Sequence, residues 1–477
     1  MEKIMKTSIC ALMVSASAGL AVAGNPIGPD VQVCRLYSVT QYERDGQLNG
    51  LSVGTTSYNA GDENLDWYAS PNENHPFIAY NLFRMNTRRV EQVGVSWIKH
   101  GFFATNFPDC NSGSVFPHTG CAGGGGSELK PACGDTYGAG LNASLSYLGP
   151  RYEVNPWTGQ WDYTGSLFDN GIGNGLDSPV DRLMMIHDDD LDPSMNPGMT
   201  YWAEGYYVAA DDVNHMNSAS YRPVGLPTWT GSSWAISSPS TVSPTIGFVF
   251  QEWGGNESLV TQDGNVPQEF VSGDGRCILS AKVFDNGDGT WDYEYALYNV
   301  DMDAQVKTFE VPIPAGVNII WDEFHAPFHD EDMNATINDR GVPIDNTPWT
   351  STLANGVLKW ETDSNPIRWG MMFNFRFRAD APPTTGTIDI DPFRGTNAPG
   401  EYETQNFVPM PVMVSLCDGD FDGDGDVDLG DFGVFGSAFG SMTGDANYDP
   451  NADFDNDGDV DLGDFGIFGG EFGRTDC

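Results

Sequence analysis

Residues 420 to 432 read DFDGDGDVDLGDF, six aspartates among thirteen positions, and residues 453 to 465 repeat the pattern as DFDNDGDVDLGDF. Carboxylates spaced this densely repel one another. Between residues 418 and 477 the chain holds 17 acids against one base, Arg474. A folded state of this region therefore requires a counter-charge from outside the chain. Ca²⁺ fits, because it takes about six to eight oxygen ligands. A loop of roughly twelve residues supplies them from positions 1, 3, 5, 7, 9 and 12 around a glycine at position 6. In the first repeat this spacing assigns Asp420, Asp422, Asp424, the Asp426 carbonyl, Asp428 through a water, and Asp431, with Gly425 at the turn. In the second it assigns Asp453, Asp455, Asp457, the Asp459 carbonyl, Asp461 and Asp464, with Gly458 at the turn. Val427 and Val460 hold the apolar position 8 and are expected to pair with each other across the loops. Two Ca²⁺ ions are expected, with uptake linked to folding.

A stripe of rings follows each loop: Phe432, Phe435 and Phe439, then Phe465, Phe468 and Phe472. Spacings of three and four put each set on one helical face. Gly433, Gly436 and Gly440 weaken the first helix by about 1 kcal/mol each relative to alanine. The ion and the aromatic packing have to offset that loss. A solvated acidic tail would not require periodic Asp, the glycine, the apolar position and the rings to coincide twice.

The chain opens MEKIMKTSICALMVSASAGLAVAGNP. Lys3 and Lys6, a short apolar run and Ala21-Val22-Ala23 predict an export signal cleaved after Ala23. No later stretch is apolar for long enough to span a bilayer. A formal charge of −45 excludes a phosphate-backbone partner, which needs basic surface. Once Cys10 leaves with the signal, Cys34, Cys110, Cys121, Cys133, Cys277, Cys417 and Cys477 remain. Outside the cell disulfides are expected, and the odd count leaves one thiol over.

Two such loops, each followed by one helix, at the C-terminus of an exported chain resemble a type I dockerin, down to Asp at position 12. The resemblance covers residues 416 to 477. It implies a small helical module with pseudo-two-fold symmetry that docks onto a protein partner. It also implies that the two ends meet, and hence a Cys417–Cys477 disulfide. The match departs at the partner face. Leu429-Gly430 and Leu462-Gly463 stand where the family carries hydroxyl residues, and Gly436-Ser437 and Gly469-Gly470 where it often carries basic ones. Cohesin recognition therefore does not carry over with the calcium loops.

Ahead of this module, short alternating runs between Gly and Pro read as half-buried strands. RCILSAKVF (276–284) and TWDYEYALYNV (290–300) form a hairpin through DNGDGT. MMFNFRFRA (371–379) sets Phe373, Phe375 and Phe377 on one face and Asn374, Arg376 and Arg378 on the other. The expected fold is mostly β, with antiparallel β-sandwich domains followed by the helical module. Its parts are a signal at 1–23, an N-terminal β-rich domain at 24–245 holding the Cys/Gly-rich loop, a β-sandwich at 246–413, and the calcium module at 416–477. Residues 407–415 read as a linker. The stretches GVSWIKHGF (94–102), 273–299 and RWGMMFNFRFRADAPP (368–383) are similar to uncharacterised exported bacterial proteins, which implies no activity.

No catalytic motif stands out in the body. Glycoside hydrolysis needs two placed carboxylates, and the chain is too acidic for sequence to single them out. IHDDDLDP (186–193) and FQEWGGNES (250–258) are the densest candidates, read as solvated loops or cation sites. His325 and His329 lie four apart, but Pro327 between them argues against a zinc helix. His75 and His100 read as packed histidines. Cys121, Cys133 and His118 could ligate a metal, with disulfides favoured. The 13 tryptophans suit sugar stacking or a β core. The expected function is calcium-dependent docking or attachment, with a body that binds carbohydrate or a cell surface. The alternative is a secreted polysaccharide-degrading hydrolase carrying a dockerin.

Overall fold

Alternation decides where the sheets go. Along Trp291–Asn299, Tyr293, Tyr295 and Leu297 enter one buried core, while Ala296 and Tyr298 enter another on the opposite face. The same holds along Met371–Ala379, where Phe373, Phe375 and Phe377 face the first core and Met372 the second. Successive side chains of a strand point to opposite faces, so a strand buried on both sides must lie between two layers. The computed structural model describes residues 27–108, 110, 120–167, 169, 178–238, 243–262, 275–329, 338–339, 342–395, 402–404, 408–412, 419–421, 425–455 and 457–475. The signal, His118, Cys417, Cys477, Asp422 and Asp424 lie outside the described residues.

The chain is mostly β, built of antiparallel sheets. Val31–Asp45 and Leu48–Asn59 pair as a long hairpin and recruit Met184–His187 and Gly134–Tyr137. A seven-stranded sheet follows, with Phe77–Met85 and Thr200–Val208 as adjacent strands. Ile78, Tyr80, Leu82 and Tyr207 face the hairpin sheet, and Phe77, Ala79, Phe83 and Tyr206 face away from it. The third unit is a ten-stranded sheet. The hairpin read from sequence is here, Cys277–Asp285 with Trp291–Asn299, and Met371–Ala379 flanks it. The sheet turns over on itself, so that Thr308–Pro312 and Val357–Glu361 cover the Phe373–Phe377 face. Phe309 stacks on Phe375 with centroids 4.1 Å apart and planes at 6°. Each ring withdrawn from water stabilises the fold by roughly 1.5–3 kcal/mol before entropy is counted.

The two halves of the body, divided in sequence near 245, share one core. Phe77, Tyr206 and Phe248 pack in a single cluster with Tyr298, Trp369 and Met372. Polar groups cross it too. Glu204 has no exposed surface and accepts from Asn81 Nδ2 (2.8 Å), Tyr298 Oη (2.7 Å) and the Val249 amide (2.9 Å). The 407–415 segment is not a free linker throughout. Val408–Pro411 forms a strand against Pro383–Gly386, and Val408 is buried in the last core.

At the same junction Arg376, with no exposed side-chain surface, donates to Glu91 (2.5 Å), Glu294 (2.8 Å) and Glu323 (2.9 Å). Arg84 holds the second Glu91 oxygen at 2.5 Å. Burial alone would raise the Glu91 carboxyl. His325 and the Arg376 and Arg84 guanidiniums outweigh it and hold the carboxyl well below the usual range. A carboxyl depressed in the folded state contributes stability above its unfolded pKa of about 4.3 and loses it as pH falls. Arg376→Met is expected to cost about 3–5 kcal/mol at neutral pH in urea unfolding, because three carboxylates lose the one buried guanidinium they share and keep only Arg84 and Arg89. The wild type should lose stability below about pH 4, and the variant should lose less over that window.

Candidate functional site

The described residues of the two acidic loops match in geometry. Gly425 sits at φ +94° and Gly458 at φ +99°, a conformation that side chains rarely adopt. Position 12 is fully buried in both, at Asp431 and Asp464. Asp431 accepts from the Phe421 amide (2.6 Å) and the Asp428 amide (2.9 Å). Asp464 accepts from the Phe454 amide (2.6 Å) and the Asp461 amide (2.8 Å). Each carboxylate thus ties its loop to the start of the following helix. Asp428 and Asp461 have a second role that spacing did not show. Each caps its helix by accepting from the Gly430 or Gly463 amide at 2.6 Å. The helices are Leu429–Ala438 and Leu462–Glu471.

One carboxylate oxygen each from Asp426, Asp428 and Asp431 lies within 4.8 Å of the others, so that Asp426 brings its side chain to the group and not only the expected carbonyl, and the same holds for Asp453, Asp455 and Asp457. Asp420 lines the first loop and accepts from the Gly425 amide at 3.3 Å. In the second loop the Asp459 amide donates to the Asp457 carboxylate at 3.1 Å. Partial desolvation, then the neighbouring carboxylates, raises the Asp455 and Asp459 carboxyls above their ordinary values. Arg474 is engaged with Glu471. Tyr448, which the sequence did not single out, donates its hydroxyl to Asp453 at 2.7 Å.

The expected Val427–Val460 pairing is corrected. The Val427 amide donates to the Arg474 carbonyl (2.9 Å), and its carbonyl accepts from the Gly473 amide (2.7 Å). Val460 is bonded in the same way to Ser441 and Gly440. Each loop is closed by the chain leaving the other helix, while the two valine side chains share one core. Backbone groups at position 8 are better satisfied by an extended chain end than by the other loop's turn. The phenylalanine stripes split likewise. Phe435 and Phe468 are buried and stack at 5.1 Å across the pair, whereas the flanking rings are about half exposed.

The other sequence candidates do not converge. Asp188 is clamped by Arg44, whose guanidinium holds its carboxyl below the ordinary range, and Asp190 pairs with Arg84 at 2.9 Å. Glu252 lies exposed on the short helix Val249–Trp253. His325 ends the strand Ile319–His325 and contacts the Gln92 carbonyl, whereas His329 contacts Asn365. His75 and His100 are buried together, Nε2 to Nδ1 at 2.9 Å. Cys121 is bonded to Cys133 and Cys34 to Cys110, which staples the glycine-rich loop and ties it to the first strand. Among the described residues the free thiol is Cys277, buried. Eight tryptophans are buried, as a β core requires.

A polar cleft of about 590 Å³ opens on the body, lined among others by Tyr152, Glu153, Trp161, Asp162, Asp303 and Arg394. Burial pushes the Glu153 carboxyl up to about 7, although the Leu167 amide and the Trp161 indole favour its charged form. Nothing local in PRYEVNPW marks this glutamate, since only the folded chain withdraws it from water. No family model matches the chain, and no curated protein matches it either.

Gly458→Ala should destabilise the second loop by about 1–3 kcal/mol, because its backbone is held where a Cβ is strained. Hydrogen exchange in the full chain should show faster exchange across 440–475 and none in the sheets.

Proposed function

We propose that this chain is an exported, calcium-binding multidomain protein whose dockerin-like C-terminal module serves docking or attachment. The β-rich body serves binding, to carbohydrate or a cell surface. The observation that carries this reading is the second loop. Asp453, Asp455 and Asp457 converge within 4.8 Å around a turn opened by Gly458. The donor set is all oxygen, which suits a hard cation such as Ca²⁺. Asp420, Asp422, Asp424, Asp426, Asp428 and Asp431 would hold one ion, and Asp453, Asp455, Asp457, Asp459, Asp461 and Asp464 the other. Bound calcium would supply the positive charge that the loops lack.

The helix surfaces support docking. Leu429 is 76% exposed and Leu462 74%, at equivalent positions of the repeat. Gly433, Gly436, Gly466 and Gly469 leave open space beside them. The result is a duplicated set of exposed apolar and glycine positions on a strongly acidic protein. Such patches mark contact sites for other proteins.

The test is calcium titration of the chelated full chain by calorimetry, with hydrogen exchange as the structural readout. Calcium should slow exchange across 419–475. Asp455→Ala, at an exposed loop position, should take up one ion fewer. Absence of uptake at millimolar calcium with unchanged exchange would sink the reading.

The cleft favours a second reading, a polysaccharide hydrolase. A glutamate whose carboxyl titrates near neutrality beside further carboxylates and an indole has the attributes of a glycosidic proton donor. On this reading Glu153→Gln reduces reducing-end release from a panel of polysaccharides to background. Absence of release by the wild type removes the reading.

A further inference from the structure

Asp30 enters the first strand with no exposed surface, and its carboxyl group lies within hydrogen-bonding reach of that of Asp212, itself buried. Neither carboxylate can donate. Asp212 is well supplied, accepting from the Val31 amide (3.3 Å), the Asn214 amide (3.2 Å) and the Ser218 hydroxyl (2.6 Å). Asp30 is not. Its Oδ2 takes two long bonds, from Asn217 Nδ2 (3.1 Å) and Gln32 Nε2 (3.4 Å), and its Oδ1 is buried with no hydrogen-bond partner. Asn217 Oδ1 is buried without a partner as well. Burial and then the Asp212 carboxylate push the Asp30 carboxyl up to about 7. His215 also acts on Asp212, but its Nδ1 is set against Asp301 at 3.5 Å, and Arg276 is bound to that same aspartate at 2.6 Å.

Two explanations compete. A proton shared by the carboxyls would relieve their repulsion but would leave the Asn217 carbonyl unsatisfied. A hard cation would answer both defects, because buried oxygens without donors are what it coordinates. The Asn217 amide turns its Nδ2 to Asp30; a half-turn of that amide, which exchanges its nitrogen and oxygen, would present the carbonyl instead, and two carboxylates with an amide carbonyl, completed by water, form the mixed oxygen set typical of Ca²⁺. We infer that Asp30, Asp212 and Asn217 form a calcium site in the body, separate from the C-terminal loops. Its place in the fold gives it a task. It pins the entry of the first strand, at Gly28–Asp30, to the turn that follows Thr200–Val208. That joins the hairpin sheet to the seven-stranded sheet at a point already tied by the Val213 amide to the Pro29 carbonyl (3.0 Å).

The experiment uses the chelated full chain and CaCl₂ at pH 7.5, counting bound ions by calorimetry and by elemental analysis after gel filtration. Asp30→Asn keeps the shape and lets residue 30 donate to Asp212, so the variant folds without an ion. It should bind one Ca²⁺ fewer than wild type, whatever the C-terminal loops contribute, because those loops are unchanged. Equal uptake by the two proteins overturns the proposal and leaves the shared proton. Asn217→Asp supplies an independent readout, because an added charged ligand tightens a calcium site but aggravates an ion-free carboxylate pair. Its calcium-induced rise in Tm should exceed that of wild type. A rise equal to or smaller than the wild-type one counts against the site.

Discussion

The Arg376 guanidinium, sealed from solvent, holds Glu91, Glu294 and Glu323 at the junction of two sheets. A carboxylate withdrawn from water is unstable unless a charge or a set of donors replaces the water. In a chain with 67 acids and 22 bases, most acids must stay wet and the buried ones must be matched individually. The body places its scarce arginines at the layer boundaries. Arg84 serves Glu91 and Asp190, Arg378 serves Asp292, and Arg276 serves Asp301. Those boundaries are where strands buried on both faces lie between two cores. Without the guanidiniums, the acids on those strands would hold the sheets apart.

The C-terminal module has no such resource, because its one arginine is engaged by Glu471 at the end of the preceding helix. Its carboxylates instead collect backbone amides. Asp431 and Asp464 each receive donors from both ends of their loop. These bonds shape the loop but leave most of its negative charge in place. The same chain therefore meets one electrostatic requirement in two ways, with fixed cations in the body and with oriented dipoles in the tail. The dipoles alone are the weaker of the two. That difference supports an external cation in the loops and not in the Arg376 network.

What the sequence disclosed follows from the range of the interactions involved. The 276–300 hairpin and the two-faced strand 371–379 were legible because alternation and turn chemistry are local. The acidic loops were visible as a repeated pattern for the same reason, since the carboxylates of each lie within one short segment. The layering was not. That Tyr206 and Tyr207 serve different cores depends on which sheets arrive on either side. Val408 entering a core likewise depends on a partner strand at 383–386. Asp30 and Asp212 are 182 residues apart, and Glu153 is an ordinary glutamate until the fold buries it. Segment composition carries no trace of such long-range meetings.

The exchange of chain ends in the C-terminal module has an energetic consequence. Val427 is bonded to the segment leaving the second helix, and Val460 to the segment leaving the first. Phe435 and Phe468 stack between them. Neither repeat therefore holds a complete set of backbone partners or a complete core by itself. A single loop–helix unit would expose its position-8 amide and carbonyl and one face of its central ring. Its glycine-rich helix is too poor in propensity to stand on local interactions. The duplication is thus a condition of folding, and the second copy supplies the edge that the first lacks. It follows that the acidic sequence has a structural reason to be written twice.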